Sequence, residues 1–179
     1  MKKTMITLTG IFTTGCIAST IAYIKMQKGV MLLLAITFGT FAYHFLMRLL
    51  VGSIIDGLYH NNMDYRKKWF QAKSWETRLY KKLKVKKWKD RMPTYDIDTF
   101  SFELHSMEEI IMAMCQSEIV HEIIVVFSLV PLTFSIWFGS FGVFFITSIL
   151  AAGFDMMIVI MQRYNRPRLV KILKKSNKD

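Results

Sequence analysis

Three ionisable residues, Glu118, His121 and Glu122, come immediately before an apolar run in the stretch "CQSEIVHEIIVVF". On a helix these positions are i, i+3 and i+4, so their side chains share one face. A carboxylate beside an imidazole holds the ring in one tautomer and stabilises its charged form. Such a histidine can accept a proton from an attacking hydroxyl, which is general-base catalysis. The alternative interpretation is a polar helix entrance that is hydrated by headgroup water.

A metal site is a further interpretation of the same spacing. Glu-x-x-His recurs in carboxylate-bridged di-metal bundles, and Glu103 and His105 lie nearby in the chain. Those bundles supply the motif on two helices, whereas this chain contains it once and has no His-Glu-x-x-His sequence. We therefore predict no metal ligands, and we keep His105 and Glu122 as reserve catalytic candidates.

Ionisable residues also occur inside apolar segments. His44 and Arg48 are four residues apart in one segment, and Asp155 lies in another. At ~1.5 Å per residue, Arg48 and Asp155 are each about 10 Å from the end of their segment. Isolated charges at that depth are costly, so pairing or a wet cavity is expected. We predict that Arg48 and Asp155 face the bundle interior as a buried pair.

A basic cluster ends the last apolar segment in the stretch "QRYNRPRL". Arg163, Arg166 and Arg168 have the charge and the donors to bind a phosphate or pyrophosphate group. Pro167 is expected to limit further helix. The alternative is ordinary basic flanking of a membrane span, which is common.

Four apolar segments must position these residues. Hydrophobic residues make up 53% of the chain, against about 45–50% in soluble proteins. Each segment approaches the ~20 residues that a helix needs to cross a ~30 Å hydrocarbon core. We predict an all-α integral membrane protein with about four transmembrane helices, and Cys16 and Cys115 as packing residues. The predicted spans are 5–24, 30–55, 119–137 and 141–161.

The positive charge indicates the topology. The net charge is +11, with Lys and Arg concentrated between positions 66 and 91 and after position 162. The positive-inside rule then places both termini and the polar segment in the cytoplasm, so we predict no nucleic-acid partner. We interpret the chain as one membrane domain with four parts: an N-terminal hairpin (1–56), a basic interfacial segment (57–118), a C-terminal hairpin (119–162) and a basic tail (163–179).

Pro93 divides the interfacial segment. Before it, "SWETRLYKKLKVKKWKD" predicts one basic amphipathic helix or two short ones. Aromatic residues such as Trp69 and Trp88 are expected in the headgroup layer, with lysines reaching anionic phosphates.

After Pro93 the segment becomes acidic, with Asp96, Asp98 and Glu103 forming a short patch. Ser106 then precedes Glu109 by three residues, which is the spacing of a capping box. We therefore predict a helix that begins at about residue 107 and runs directly into the third span.

Three blocks give the chain a family resemblance over about 60–179. "SWETRLYKKLKVKKWKD" is like a Glu-led basic stretch ending in Lys-Trp-Lys, "EEIIMAMCQSEIVHEI" is like an acidic helix with Glu-x-x-His, and "IVIMQRYNRPRL" is like a span ending in Gln-Arg-Tyr-Asn-Arg-Pro-Arg. In this order they resemble the glycosyl-4,4'-diaponeurosporenoate acyltransferases, small membrane enzymes of staphyloxanthin-type carotenoid synthesis. Those enzymes esterify the sugar of a carotenoid glycoside with a fatty acid.

The resemblance implies roles for matched residues, and Glu122 lies outside the family pattern. It implies acyl transfer from a thioester to a lipid-linked hydroxyl, with His121 as the general base oriented by Glu118. No Ser or Cys nucleophile is evident, which favours direct attack over an acyl-enzyme. The residues expected to bind substrate or donor are Glu76, Trp88, Lys89, Arg163, Asn165 and Arg166.

The same resemblance implies the partners and the location. Membrane lipids and a lipid-linked hydroxyl, on a sugar, are the expected partners. The acyl donor is acyl-CoA or acyl carrier protein, with no bound cofactor, and the location is the bacterial cell membrane. Two alternatives remain: a non-catalytic membrane subunit that binds a lipid or a partner enzyme, and a metal-dependent lipid hydrolase.

Overall fold

The computed structural model describes residues 2–92 and 98–176; most of these residues are helical, and there is no strand in those two ranges. Short 3₁₀ turns at Lys68–Phe70, Lys89–Arg91 and Asp98–Phe100 connect the α-helices. The α-helices are α1 (Lys2–Met26), α2 (Gly29–Tyr59), α3 (Glu76–Lys82), α4 (Val85–Trp88), α5 (Met107–Phe127), α6 (Pro131–Phe138) and α7 (Phe141–Ser176).

Four helical segments are long and apolar enough to cross a membrane: Lys2–Met26, Gly29–Tyr59, Met107–Phe138 and Phe141–Ser176. The predicted all-α membrane fold with four spans is therefore confirmed. Each helix is longer than the apolar run that predicted it, because polar residues at the ends continue the helical hydrogen bonding.

The expectation that Pro167 limits the last helix is wrong, because α7 continues through it to Ser176. Proline has no N–H, so the carbonyl of Arg163 loses its i+4 donor at this point. The Arg168 guanidinium donates to the carbonyl of Tyr164 at 3.2 Å and stacks over the Tyr164 ring.

Helix α5 begins with the predicted capping box. The backbone N–H of Ser106 donates to Glu109 Oε2 at 2.7 Å, and the N–H of Glu109 donates to Ser106 Oγ at 3.3 Å. The helix then runs uninterrupted to Phe127, as predicted. A turn follows, and Pro131 begins α6 at a first-turn position, where its missing N–H costs no hydrogen bond.

The basic stretch before Pro93 forms two short helices, α3 and α4. Lys84 separates them in the left-handed backbone conformation, with φ of 51°. Of the predicted acidic patch, Asp98 lies in a 3₁₀ turn and Glu103 is exposed, whereas Asp96 lies outside the described residues.

The chain divides into two compact units. The first, residues 1–53 and 123–154, contains α1 and the greater part of α2. These two helices approach closely. A Cβ on Gly15 would stand 3.1 Å from the Phe38 ring, and a Cβ on Gly39 would stand 3.2 Å from Cys16 Sγ. Small residues allow this kind of packing between membrane helices.

The second unit, residues 54–122 and 155–179, contains the interfacial segment, most of α5 and the end of α7. Its apolar cluster is built on Met63, Phe70 and Cys115, which are buried. Cys115 is a free, fully buried thiol, so its predicted packing role is confirmed. This unit holds the ionisable residues of α5 and α7.

Candidate active site

A histidine–aspartate pair joins α5 to α7 inside the second unit. His121 Nδ1 lies 2.7 Å from Asp155 Oδ1. Asp155 is fully buried, whereas the His121 side chain keeps 19% of its surface exposed. Asp155 was predicted as a buried charge, but its contact with His121 was not, because the two residues lie on different helices.

Glu118 has a different partner from the one that its spacing suggested. Its fully buried carboxylate accepts a hydrogen bond from Arg163 Nη1 at 2.5 Å and another from Arg166 Nη1. Sharing a helix face with His121 therefore did not pair the two side chains. The carboxylate that contacts the imidazole in the structure is Asp155, and the orienting role of Glu118 stays a prediction.

The two arginines also hold the interfacial segment. Arg163 donates to the carbonyl of Trp69 at 3.1 Å and to that of Gln71 at 3.4 Å. Arg166 donates to the carbonyl of Phe70 at 2.7 Å and lies over the Phe70 ring. Three consecutive carbonyls are thus satisfied by guanidinium groups of α7.

A second carboxylate completes this charge network. Glu76, which is buried at the start of α3, accepts from Arg163 Nη2 at 2.5 Å and from Nε at 3.1 Å. Tyr80 donates to the other oxygen of Glu76 at 2.9 Å, and burial, followed by this hydrogen bond, raises the pKa of Tyr80. We call Glu76, Glu118, Arg163 and Arg166 the charge network.

These contacts bear on the predicted anion-binding role of the arginines. Only 13% of the Arg163 side chain and 2% of the Arg166 side chain are exposed. Their donors already reach carboxylates and carbonyls, so an added phosphate would have to displace one of these partners. The geometry indicates that the two guanidinium groups hold the fold of the site.

Glu122, the third member of the opening motif, accepts a hydrogen bond at 3.0 Å from the indole Nε1 of Trp69. Other polar contacts lie along the same helices and were not predicted. Gln162 donates to Ser117 at 3.1 Å, and Gln116 donates to Asp56 at 3.1 Å. Neutral amides carry no sequence signal comparable to a charge in an apolar run.

The remaining predicted residues lie apart from these contacts. His105 is exposed, 4.0 Å from Glu109 at the start of α5 and several turns before His121. Lys89 is paired with Asp90 at 2.6 Å, and the Trp88 indole donates to the Leu83 carbonyl. Asn165 is half-buried on α7.

Arg48 lies in the first unit, where it donates to the carbonyl of Ala151 at 3.3 Å and to that of His44 at 3.1 Å. Asp155 lies in the second unit. The predicted pairing of Arg48 with Asp155 therefore stays a prediction.

A basic groove of about 1010 Å³ lies beside the end of α7 in the second unit. Its cationic lining comes from Arg66 and from lysines of the last helical turns, and its apolar lining includes Val170 and Ile172. The complete lining is Tyr65, Arg66, Gln71, Val170, Lys171, Ile172, Leu173, Lys174 and Lys175.

Within residues 2–92 and 98–176, no three His, Cys, Asp or Glu side chains converge as metal ligands do. The described residues do contain an imidazole that is held by a buried carboxylate, within a helical membrane protein. That combination defines a membrane protein with a candidate general base.

The family model for glycosyl-4,4'-diaponeurosporenoate acyltransferase (CrtO) matches residues 66–175, and the chain belongs to this family. It is therefore an O-acyltransferase of the membrane. The matched residues include the His121–Asp155 pair and the whole charge network. No curated protein and no solved structure matches the chain.

Proposed function

We propose that this acyltransferase moves a fatty acyl group from a thioester to a hydroxyl on the sugar of a glycosylated lipid, with His121 as the general base. The observation that carries the proposal is the 2.7 Å contact between His121 Nδ1 and the buried Asp155. A carboxylate there accepts a hydrogen bond from Nδ1–H, which fixes the tautomer and leaves Nε2 to accept a proton. The family description supports a carotenoid glycoside as the acceptor.

The reaction follows from that tautomer. Nε2 of His121 accepts the proton of the sugar hydroxyl as its oxygen attacks the thioester carbonyl. The tetrahedral intermediate collapses, the carbon–sulfur bond breaks, and the imidazolium returns a proton to the departing thiolate. The products are the sugar ester and a free thiol. Direct attack agrees with the burial of Cys115, which is fully shielded in the apolar cluster.

Asp155 takes the orienting role in this mechanism, and the charge network supports the site. Glu118 and Glu76 together balance the charges of Arg163 and Arg166, which in turn fix the carbonyls of residues 69–71. Buried charges of this kind are tolerated when each one is paired and hydrogen-bonded.

The donor in this proposal is acyl-CoA or the acylated form of acyl carrier protein, because both are anionic thioesters. The basic groove supports that choice, since Arg66, Lys171, Lys174 and Lys175 line it beside apolar residues. Charge reversal at Lys171 and Lys174 should raise the KM for the donor and leave the KM for the acceptor unchanged. Equal KM values for the donor in variant and wild type would show that the groove is not part of the donor site.

The central test uses purified protein in lipid nanodiscs with acyl-CoA or acyl carrier protein and a glycosylated lipid acceptor. His121→Ala should lower kcat by about 10²–10⁴-fold, the usual contribution of a general base. Asp155→Asn should lower kcat with little change in KM. The Asp155→Glu variant should have a kcat between those of Asp155→Asn and wild type. His105→Ala is the matched control and should retain activity. Near-full turnover by folded His121→Ala would place the base elsewhere.

The proposed location is the bacterial cell membrane, with both termini in the cytoplasm. The support is the concentration of Lys and Arg in the polar segment and after Gln162. Labelling of single cysteines placed near each terminus, from outside intact cells, tests this topology. Rapid labelling at either terminus would contradict it.

A further inference from the structure

Trp69 is an exposed indole that is nevertheless held in place. Its surface is 59% exposed, although it lies on a 3₁₀ turn whose neighbour Phe70 is buried. The indole Nε1 donates to Glu122 at 3.0 Å, and the Trp69 carbonyl accepts from Arg163 at 3.1 Å. Both the ring and the backbone are therefore fixed, and a large apolar face remains open.

These anchors attach Trp69 to the turn of α5 that carries the base. Glu122 follows His121 directly in that helix, and Arg163 bonds both the Trp69 carbonyl and Glu118. Residues 118–122 span little more than one helical turn, or about 6 Å along the axis. The open indole face thus belongs to the same local structure as the proposed base.

Glu122 adds a hydrogen-bond acceptor to this face. The indole uses Oε2, and within the described part of the chain no hydrogen bond reaches Oε1. A carboxylate oxygen accepts strongly from hydroxyl groups. The pair therefore offers a flat apolar surface beside a free acceptor, at the edge of a site proposed to act on a hydroxyl.

A sugar ring fits that combination. A pyranose has C–H groups on its faces, which pack on aromatic rings, and hydroxyls on its rim, which donate to carboxylates. We propose that Trp69 and Glu122 form a subsite for the sugar of the acceptor and position one of its hydroxyls at His121. This inference rests on the proposed function and specifies where the sugar binds.

Trp75 provides a matched control in the same segment. It is 56% exposed, close to the value for Trp69, and its indole makes no hydrogen bond within the described residues. Both tryptophans can serve as headgroup anchors. Trp69 differs in its attachment to Glu122.

The kinetic test compares two acceptors, dodecyl glucoside and dodecanol, with acyl-CoA in nanodiscs. Trp69→Ala should raise the KM for the glucoside about tenfold or more, as loss of an aromatic anchor does. It should leave kcat/KM for dodecanol within about twofold of wild type. Trp69→Phe should recover part of the loss, Glu122→Gln should act on the glucoside only, and Trp75→Ala should change neither acceptor.

An equal loss for both acceptors would overturn the subsite and make Trp69 a membrane anchor only. So would an effect of Trp75→Ala as large as that of Trp69→Ala.

If wild type turns over neither acceptor, the proposed function fails. A binding measurement then tests the sugar subsite separately. Binding of dodecyl glucoside to His121→Ala is measured by tryptophan fluorescence. Adding Trp69→Phe to this variant should weaken binding, whereas adding Trp75→Phe should not. Equal binding by His121→Ala and the two double variants overturns the proposal.

Discussion

In the unit formed by residues 1–53 and 123–154, hydroxyl side chains donate mainly to carbonyls of their own helix. Thr9 and Thr40, for example, reach the carbonyls four residues earlier at 2.8 and 2.7 Å. In the unit formed by residues 54–122 and 155–179, charged side chains bond to groups far away in the sequence. Arg163, for example, reaches Glu76 and Glu118.

The difference separates two requirements on a membrane enzyme. A span in lipid needs only to satisfy its own polar groups, and a local hydrogen bond does that without a neighbour. A reaction site needs side chains from several elements at fixed distances, and buried charges supply specific long-range contacts. The first unit has the local hydrogen bonds that a span requires, and the second has the long-range contacts that the proposed reaction site requires.

The largest effect is expected when the charge of Glu118 is removed. Glu118→Gln leaves the guanidinium groups of Arg163 and Arg166 buried with reduced compensation, which should cost about 3–5 kcal/mol of stability. Thermal unfolding in detergent and in nanodiscs measures the loss. Glu108→Gln on the same helix is the exposed control and should change little. An unaltered Tm for Glu118→Gln would show that the charge of Glu118 contributes nothing to the stability of the second unit.

Tyr80 makes the stability of the second unit depend on pH. Its pKa is raised by burial and by its bond to Glu76, so the folded protein favours the neutral phenol. That stabilisation is fully present below the unfolded pKa of about 10 and is lost as pH rises above it toward the folded pKa.

In Tyr80→Phe the free energy of unfolding should therefore fall less steeply than in wild type between about pH 9 and pH 11, where unfolded tyrosine ionises. At neutral pH it should cost about 1 kcal/mol, because one acceptor oxygen of Glu76 loses its donor. Tm measured across the pH range for wild type, Tyr80→Phe and the exposed control Tyr59→Phe tests both effects. Parallel curves for all three proteins would contradict the assignment.

The smallest effect is expected in the first unit. Thr40→Val removes a buried hydroxyl that bonds its own helix at Ile36. The change should shift stability by no more than about 0.6 kcal/mol, the average for membrane-helix hydrogen bonds. The same unfolding measurements give the value. A loss as large as that of Glu118→Gln would erase the difference between the two units.

Much of the fold could be predicted because its causes are local. The spans follow from runs of apolar residues, and the start of α5 follows from Ser106 and Glu109, which are three positions apart. Pro167 misled the prediction, because its local preference against helix is outweighed where α7 continues. Tertiary contacts override such propensities routinely.

The site was predicted in composition but not in pairing. Glu118, His121, Asp155 and Arg163 stood out because charge in or beside an apolar run is costly. Which carboxylate joins which cation depends on how α5 and α7 turn toward each other within the second unit, and spacing along one helix does not contain that information. Trp69 bonds Glu122 for the same reason: a loop residue meets a helix residue through the fold alone.

The guanidinium groups that hold the carbonyls of residues 69–71 have a consequence for the order of synthesis. Those carbonyls leave the ribosome long before Arg163 and Arg166, which lie 92 to 96 positions after the carbonyls they bind. Until α7 emerges, Glu118 and Glu76 also lack their cations. A nascent chain can insert its earlier helices, yet the candidate site acquires these contacts only when α7 arrives.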